Sequence, residues 1–381
     1  MMEMEVMMKE LGEIITGNTP SKKTEAFWNS EDICFVKPDV IADNGIDEIM
    51  DANEYISEEA REKARVVGKN SIFVTCIGSI GKIGIASDGE YAFNQQINAI
   101  IPNKRVQPKY LAYNLLFNRP RLVAIANAPV VPIINKSQFG EFTVNIETDI
   151  DRQCEIVEVL DKLTQIIQQR NKEVIALDNL IKARFVEMFG NPLHPNKYLK
   201  LGEIAILERG RFSPRPRNDP KYFNGEYPFI QTGDISSSNH RLSEYKQTLN
   251  EQGIKVSKKF CVGTIVMAIV GATIGATAIL EREVYAPDSV IGITPYNYNN
   301  VFLETLLQFW QPQLLANAPE CARPNINLTI LGEVPIIDVD VVLQNQFADF
   351  VNQVDKSKVE IQKALDKTQM LFNSLMQEYF G

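Results

Sequence analysis

The chain has 381 residues, which is too long for one ordinary domain and long enough for two or three domains with cores of their own. Hydrophobic residues make up 45% and charged residues 23%, so the composition excludes a largely disordered chain. The net charge of -9 weighs, on its own, against a partner as acidic as nucleic acid.

The sequence also lacks the signals of metal binding, disulfide formation and secretion. Five cysteines are scattered without a Cys-x-x-Cys pair and there are two histidines, so neither a zinc site nor a disulfide framework is predicted. The first residues do not have the basic segment and apolar core of a secretory signal. These observations predict a cytoplasmic protein with no cofactor.

In chain order, the first half of the sequence recurs in the second half. The segment Leu-Gly-Glu at residues 11–13 recurs at 201–203, and each copy is followed by a glycine, Gly17 or Gly210, and then by a proline. Further matched pairs are residues 35–39 with 229–234, 79–81 with 273–275, 126–129 with 316–319, 134–135 with 326–327, 140–141 with 332–333, and 189–190 with 380–381. The offset stays at about 190 residues, which predicts a duplicated architecture.

Each half begins with a β-rich module and ends in a long helical segment. The predicted boundaries are a first module over residues 1–146, a helix over 147–190, a second module over 191–337 and a second helix over 338–381. Residues 260–280 carry no charge and place Gly271 and Gly275 at the spacing of membrane-helix dimers. Their density of glycine, threonine, valine and isoleucine instead predicts two short strands joined by a tight turn, so no membrane association is expected.

The two helical segments carry apolar residues at alternating spacings of three and four, the pattern of a coiled-coil seam. The predicted seam residues are Leu160, Leu163, Ile167, Val174, Leu177 and Ile181 in the first segment and Val351, Val354, Ile361, Leu365 and Phe372 in the second. A duplicated unit related by a two-fold axis would place the helices antiparallel and bury these stripes against each other. The sequence thus predicts an α+β fold: two β-rich domains separated by an antiparallel two-helix coiled coil, with a pseudo-two-fold internal repeat.

Catalytic motifs are nearly absent from the sequence. It has no Gly-x-x-x-x-Gly-Lys phosphate loop, and its glycines at 78, 81 and 84 lack the spacing of a dinucleotide fingerprint. It also lacks the Asn/Asp-Pro-Pro-aromatic segment of an adenine methyltransferase, and two histidines leave little room for a hydrolytic triad. No catalytic residue is predicted.

Candidate DNA contacts come mainly from one basic segment of the second module. It carries cations that could face phosphates and bases, with aromatic residues between them. The cations are Arg209, Arg211, Arg215, Arg217 and Lys221. The matching stretch of the first module offers Thr19, Ser21, Lys22 and Lys23 after the shared glycine. A solvated, turn-forming charge cluster is the alternative interpretation of both stretches.

Three further candidates belong to the first glycine-rich hairpin or follow it. Asn94 and Gln95 carry amides that could bond adenine in the major groove, although such clusters are often plain loops. Lys82 lies at a predicted turn tip, where a phosphate contact and a solvated lysine are equally compatible with the sequence.

Residues 17–21, the aromatic-to-aspartate stretch ending at Asp39, the hairpin at 78–84 and the doubled helical segment resemble those of type I restriction-modification specificity subunits. The resemblance covers essentially the whole chain. It implies that each module is a target recognition domain reading one half of a bipartite site in double-stranded DNA, while the paired helices set the gap. It also implies that the chain performs no chemistry. It would dock two modification subunits, which methylate adenine with S-adenosylmethionine, and restriction subunits, which translocate and cleave DNA with ATP.

Two other functions remain open on the sequence. A duplicated scaffold could use its coiled coil only to join proteins, without reading DNA, and the salt dependence of DNA affinity would distinguish it. A self-contained nuclease or methylase would show turnover by the purified chain with a metal or methyl donor.

Overall fold

The computed structural model describes residues 3–126, 131–316 and 326–381. The chain forms two compact units, one of residues up to 171 together with 363–381 and one of residues 172–362. Residues 127–129 and 317–319 of one repeated segment, and Cys321, lie outside the described residues. The predicted boundaries gave each long helix a segment of its own, whereas each compact unit includes half of both helices.

The first unit contains eleven of the strands and five of the helices in the described residues, the last helix continuing into the second unit. The strands are β1 (Glu3–Met7), β2 (Gly12–Thr16), β3 (Ile33–Val36), β4 (Ile46–Ile49), β5 (Tyr55–Ile56), β6 (Val66–Val67), β7 (Ile72–Thr75), β8 (Ile83–Ala86), β9 (Tyr91–Phe93), β10 (Ile97–Pro102) and β11 (Thr143–Glu147). The helices are α1 (Met8–Leu11), α2 (Pro108–Phe117), α3 (Arg119–Ile125), α4 (Lys136–Glu141) and α5 (Ile150–Phe189).

The second unit repeats the order of the strands. Its strands are β12 (Tyr198–Lys200), β13 (Ala205–Arg209), β14 (Phe223–Phe229), β15 (His240–Leu242), β16 (Gln247–Leu249), β17 (Lys258–Phe260), β18 (Ile265–Ala268), β19 (Thr277–Leu280), β20 (Val284–Ala286), β21 (Val290–Pro295) and β22 (Pro335–Ile337). Its helices are α6 (Leu201–Ile204), α7 (Thr232–Ser237), α8 (Glu251–Lys255), α9 (Asn300–Ala316), α10 (Leu328–Gly332) and α11 (Val341–Phe380), the last continuing into the first unit.

Both modules have the same sheet topology. In the first, a five-stranded sheet has the order β2-β10-β7-β8-β4, a four-stranded sheet has the order β5-β3-β9-β6, and β1 pairs with β11. In the second, the corresponding orders are β13-β21-β18-β19-β15 and β16-β14-β20-β17, and β12 pairs with β22. The parallel pairs also correspond, because β4 with β8 and β3 with β9 match β15 with β19 and β14 with β20. The predicted duplication and α+β fold are confirmed.

The uncharged segment 260–280 forms strands, as predicted. All four residues of β18 and all four of β19 are buried, and a short 3-10 turn at Gly271–Thr273 joins them. Gly271 and Gly275 adopt positive φ angles of 65° and 80°, which glycine tolerates without strain. Among the described residues, no helix is both long and apolar enough to cross a membrane.

Capping residues stand at the start of both long helices and at the end of α5. The side chain of Asp149 accepts from the amide of Asp151 at 3.0 Å, and that of Asp340 accepts from the amide of Val342 at 2.7 Å. These bonds satisfy amides that the first helical turn leaves free. At the other end of α5, Gly190 takes a φ of 79°, the left-handed conformation common just after a helix.

The long helices run antiparallel within each unit. In the first unit, Leu160 near the start of α5 shares a hydrophobic core with Phe380 at the end of α11. In the second, the Phe185 ring near the end of α5 lies 5.3 Å from the Phe347 ring near the start of α11. The aromatic packing at the helix ends is also repeated. The ring centroids of Phe380 and Tyr110 lie 5.1 Å apart, and those of the corresponding residues Phe189 and Phe302 lie 5.0 Å apart. All the predicted seam residues are buried or half-buried.

A buried polar cluster fills the space between α9, β15 and the helix pair in the second unit. Glu304 is 2% exposed and accepts from the hydroxyl of Thr277 at 2.8 Å, and His240 Nδ1 lies 3.4 Å from its Oε1. Lys358 is buried and pairs with Asp178. The cluster borders a cavity of about 360 Å³. Because each of these charges has a polar partner, the cluster couples the module to the helices within this unit.

The chain has two histidines, which allows a pH test of this cluster. Burial lowers the pKa of His240, but its hydrogen bond to Glu304 and the charges of Glu304 and Asp178 outweigh burial, so that the net pKa is raised. Protonated His240 therefore stabilises the fold below about pH 6.5, its unfolded pKa, and this contribution is lost as pH rises through the raised value. We expect the melting temperature to fall with pH above ~6.5 less steeply in His240→Gln than in the wild type.

Differential scanning calorimetry of the full chain across this pH range measures the effect. The matched control is His194→Gln, because His194 is exposed and should leave the wild-type slope unchanged. Identical slopes in the wild type and in His240→Gln would contradict the assigned role of the pair.

Candidate nucleic-acid interface

In the first module, the loop after β2 lies against the turn that joins β9 to β10. The amide of Gly17 donates to the carbonyl of Ile97 at 3.0 Å, and the amide of Asn18 donates to the carbonyl of Phe93 at 3.0 Å. A Cβ atom on Gly17 would lie 2.3 Å from the carbonyl oxygen of Asn94, so the approach requires glycine. Residues 17–23 and 94–96 are called here the paired loops of the first module.

The second module builds the same arrangement from a different sequence. The amide of Gly210 donates to the carbonyl of Val290 at 2.8 Å, and that of Arg211 donates to the carbonyl of Ala286 at 3.0 Å. A Cβ atom on Gly210 would lie 2.2 Å from the carbonyl oxygen of Pro287. Residues 209–221, which begin at the last residue of β13, and residues 287–289 are the paired loops of the second module. Backbone contacts hold the loops together in both modules, so their side chains are free to differ.

The side chains of the first pair of loops are polar and carry two lysines. The hydroxyl of Thr19 donates to Oε1 of Gln95 at 2.8 Å, which joins a predicted residue of one loop to a predicted residue of the other. Lys22 pairs with Glu54 and stands 3.4 Å above the Trp28 ring. Ser21 and Lys23 are exposed. The structure thus brings most of the first module's predicted contacts onto one surface.

The second pair of loops is more basic, and one of its ion pairs joins the two loops. Arg217 donates to both carboxylate oxygens of Asp288, at 2.7 and 2.8 Å, and Arg209 donates to the Asp288 carbonyl at 2.6 Å. Lys221 pairs with Asp219 at 3.1 Å. This hydrogen bond raises the pKa of Lys221, which keeps its side chain charged.

Three arginines of this segment keep their charge unneutralised. Arg215 donates to the carbonyl of Pro214 at 2.8 Å, and Arg211 donates to the carbonyl of Ser257 at 3.3 Å. Within the described parts of the chain, neither these two nor Arg209 pairs with a carboxylate. All three are exposed. The local charge is therefore positive although the whole chain is acidic.

Two predicted contacts do not fit an exposed DNA surface. The side chain of Lys82 is 12% exposed, and its ammonium donates to the carbonyls of Pro38 and Ile41 and pairs with Asp43 at 2.9 Å. It fastens a loop of its own module rather than standing free at a turn tip. Asn94 is 6% exposed and its amide donates to Gln96 at 2.9 Å, so it shapes the turn from inside.

Sequence reasoning missed Asp288, which occupies the turn of the second module where Gln95 stands in the first. The repeat carried a signal for it, because Gln95 lies two positions before β10 and Asp288 lies two positions before β21. The first residue of each of these strands accepts the hydrogen bond from the shared glycine. A lone aspartate in a turn, such as Asp288, carries no sequence signal of a DNA contact, unlike a cluster of cations or amides. Its carboxylate is nevertheless the group that orients Arg217.

The described residues give no sign of a metal site. No group of three or more His, Cys, Asp or Glu side chains within them is placed to hold a metal ion. Cys34, Cys76, Cys154 and Cys261 are free thiols. Burial raises the pKa of the Cys76 thiol to about 12, which leaves it protonated and unreactive at neutral pH.

The chain is an internally duplicated protein in which each copy consists of a β-rich module with paired surface loops, followed by a long helix. The sequence matches the family described as "Type I restriction modification DNA specificity domain" over residues 2–176 and again over residues 195–368. These two matches cover most of the chain. The protein belongs to this family and carries two copies of its domain.

Individual relatives agree with the family match. The chain is 26% identical over 289 residues to the type I restriction enzyme MjaIX specificity subunit of Methanocaldococcus jannaschii, covering 66% of this chain and 65% of that protein. It is 27% identical over 164 residues to the HindI specificity subunit of Haemophilus influenzae, covering 43% of this chain and 33% of that protein. The chain thus matches less than two thirds of the length of each.

Two solved structures share the fold. The crystal structure of a type I restriction-modification system S subunit from M. genitalium aligns over 100% of this chain and 96% of its own, with a TM-score of 0.60 and 15% identity. A structure described under the complex assembly and conformational transition of the type I R-M system aligns over 99% of this chain and 97% of its own, with a TM-score of 0.57 and 14% identity. At these identities they support the fold alone.

The glycine of each pair of loops can be tested by substitution. In Gly210→Ala the new methyl group would lie 2.2 Å from the Pro287 carbonyl oxygen, so the loops must separate. We expect a loss of about 1–3 kcal/mol in the free energy of unfolding, the usual cost of overpacking. The matched control is Gly202→Ala, where the nearest atom is 3.5 Å away. Equal melting temperatures for the two variants would contradict the close approach.

Proposed function

We propose that the chain is the DNA-reading subunit of a type I restriction-modification enzyme, and that its two modules each read one half of a bipartite site in double-stranded DNA. The proposed target recognition domains are residues 1–146 and 191–337, followed by helices at 147–190 and 338–381. Membership of the specificity-domain family supports this function, as do the two relatives named as specificity subunits.

The observation that carries the proposal is the difference between two equivalent surfaces. Both modules hold their paired loops by the same backbone contacts of Gly17 and Gly210. The side chains presented differ, with Thr19 bonded to Gln95 in one module and Arg217 bonded to Asp288 in the other. An amide suits the edge of adenine, an arginine that of guanine and a carboxylate the amino group of cytosine. Two readers of one design would then select two different sequences.

The residues proposed to contact DNA are those of the paired loops. They are Thr19, Ser21, Lys22, Lys23 and Gln95 in the first module and Arg209, Arg211, Arg215, Arg217 and Lys221 in the second. Lys82 and Asn94 are left out because their side chains are buried or tied to their own module. Asp288 is added because it lies on the same surface as Arg217.

The chemistry of the enzyme would come from other chains. We propose that modification subunits supply adenine methylation with S-adenosylmethionine and that restriction subunits supply ATP-dependent translocation and cleavage, with this chain non-catalytic. The same proposal makes three further predictions. One duplicated chain binds two modification subunits, the complex is cytoplasmic, and the helices set the spacing between the half-sites.

Salt dependence separates DNA reading from a scaffold without DNA contact. Each phosphate neutralised by a cation contributes about -0.9 to the slope of log affinity against log salt. We expect a steep negative slope for the chain assembled with its modification subunits, and a slope smaller by about 2 to 3 after replacing Arg209, Arg211 and Arg215 together by Ala. Fluorescence anisotropy with a DNA duplex at several salt concentrations measures both. A flat slope in the wild type would favour the scaffold.

Selectivity should be lost at one half-site at a time. The half-sites are found first, by mapping methylated adenines in DNA modified by the complex. Arg217→Ala should then relax base choice in one half-site by about 1–3 kcal/mol, roughly 5- to 150-fold in affinity, and leave the other unchanged. Gln95→Ala is the matched variant, and it should relax the other half-site. Competition between duplexes altered in single positions measures the effect. Equal losses at both half-sites in either variant would contradict independent readers.

A further inference from the structure

A cavity of about 450 Å³ opens beside the paired loops of the second module. Phe212, Phe223 and Phe229 line its apolar wall, and Arg217, Gln231 and Gln247 are polar residues of its lining. Phe212 and Arg217 belong to the basic loop itself, so the cavity and the proposed DNA surface are continuous. Its volume lies within the ~300–1,000 Å³ of pockets that enclose small organic molecules.

The three phenylalanine rings of the wall pack against one another. The Phe212 ring lies 5.2 Å from that of Phe229 and 5.7 Å from that of Phe223, and the last two lie 6.0 Å apart. Phe212 and Phe229 are each 3% exposed, while Phe223 is half-buried and keeps part of its ring open. Unstacked nucleobases in protein complexes stack on aromatic faces of this kind.

The polar side of the cavity carries hydrogen-bonding groups of the kind that a base edge requires. The amide of Gln231 donates to Oε1 of Gln247 at 2.6 Å, which fixes the two side chains next to each other. Within residues 3–126, 131–316 and 326–381, the amino group of Gln247 has no hydrogen-bond partner, and both glutamines are exposed. An apolar ligand would leave the amino group of Gln247 without a hydrogen bond, and a phosphate would make no favourable contact with three phenylalanine rings. A planar ring with polar edges uses both surfaces.

We propose that this pocket receives one nucleobase of the half-site read by the second module, turned out of the base stack. The base stacks on the open part of the Phe223 ring, against which Phe212 and Phe229 pack, and its edge bonds the amino group of Gln247. Arg217 lines the same pocket and is held by Asp288. It would face the DNA backbone or the base next to the inserted one. This inference rests on the proposed function, because it needs DNA bound at the paired loops.

The described part of the first module does not repeat the phenylalanine wall beside its shared glycine. Thr19 occupies the position of Phe212, two residues after the shared glycine. The Trp28 ring of the first module is covered by its own Lys22 at 3.4 Å. The base is therefore expected from one half-site and not from both.

The test uses duplexes in which one base pair at a time lacks its partner. An abasic residue opposite the inserted base removes the pairing that must break, so binding should tighten at that position by about tenfold or more. The probe is the methylated motif found for the assembled complex, with an abasic residue moved through both half-sites. The adenines that the modification subunits methylate also leave the base stack, so they should respond as well. We expect one further position, in the second module's half-site, to respond.

Variants then connect this position to the pocket. Gln247→Leu keeps the size of the side chain and removes its amide, so the abasic gain should fall to less than about threefold. Gln252→Leu, an exposed glutamine on α8 outside the pocket, should keep the full gain. Intact duplexes of the same motif and of a scrambled sequence are measured with each variant.

The outcomes are separable. If the complex selects its motif over the scrambled duplex but no position other than the methylated adenines gains affinity, the pocket takes no base and the inference is overturned while the proposed function stands. If the further position gains affinity equally in the wild type and in Gln247→Leu, the base goes elsewhere and the inference is again overturned. If the motif is not selected at all, the proposed function fails and the inference fails with it.

Discussion

A buried glutamine near the start of each long helix fixes how that helix meets its module. Gln153 is 0% exposed, donates to the carbonyl of Glu147 at 2.7 Å and accepts from the amide of Gln107 at 2.7 Å. Gln344 is 1% exposed and makes the same two bonds, to Val339 and from Asn299, both at 2.8 Å. A buried amide left unpaired would cost about 1–3 kcal/mol. Each long helix, the segment that leads into it and the residue just before α2 or α9 must therefore meet in one arrangement. The position of each module on its long helix therefore depends on these hydrogen bonds.

The paired loops show how such a fixed module can vary in what it reads. The loops are held by amide-to-carbonyl bonds and by a glycine too close to its neighbour for any side chain. Because none of these contacts involves a variable side chain, residues such as Gln95 and Asp288 can change without moving the backbone that presents them. Under the proposed function, new specificities then arise by substitution on an unchanged frame, and loss of the glycine harms every specificity alike.

The sequence predicted the duplication, the α+β class and the long helices because these depend on periodic or repeated patterns. The strands of residues 260–280 were predicted from composition, since buried β-branched residues between glycines favour strands. Side-chain environments could not be predicted in the same way. Lys82 is a lysine at a turn, and its ion pair with Asp43 forms only because a loop distant in sequence folds over it. The pairing of Arg217 with Asp288 joins residues 71 positions apart, which no local pattern records.

The acidic net charge and the proposed DNA partner are compatible because charge acts locally in salt. At physiological ionic strength charges are screened over about 8 Å, so acids elsewhere in the chain have little effect at the paired loops. Within the basic loop the arginines divide into two kinds. Arg209, Arg211 and Arg215 bond neutral carbonyls and keep a full charge for phosphates, whereas Arg217 is neutralised by Asp288 and gains a fixed orientation. Affinity and base choice would therefore depend on different arginines of the same loop.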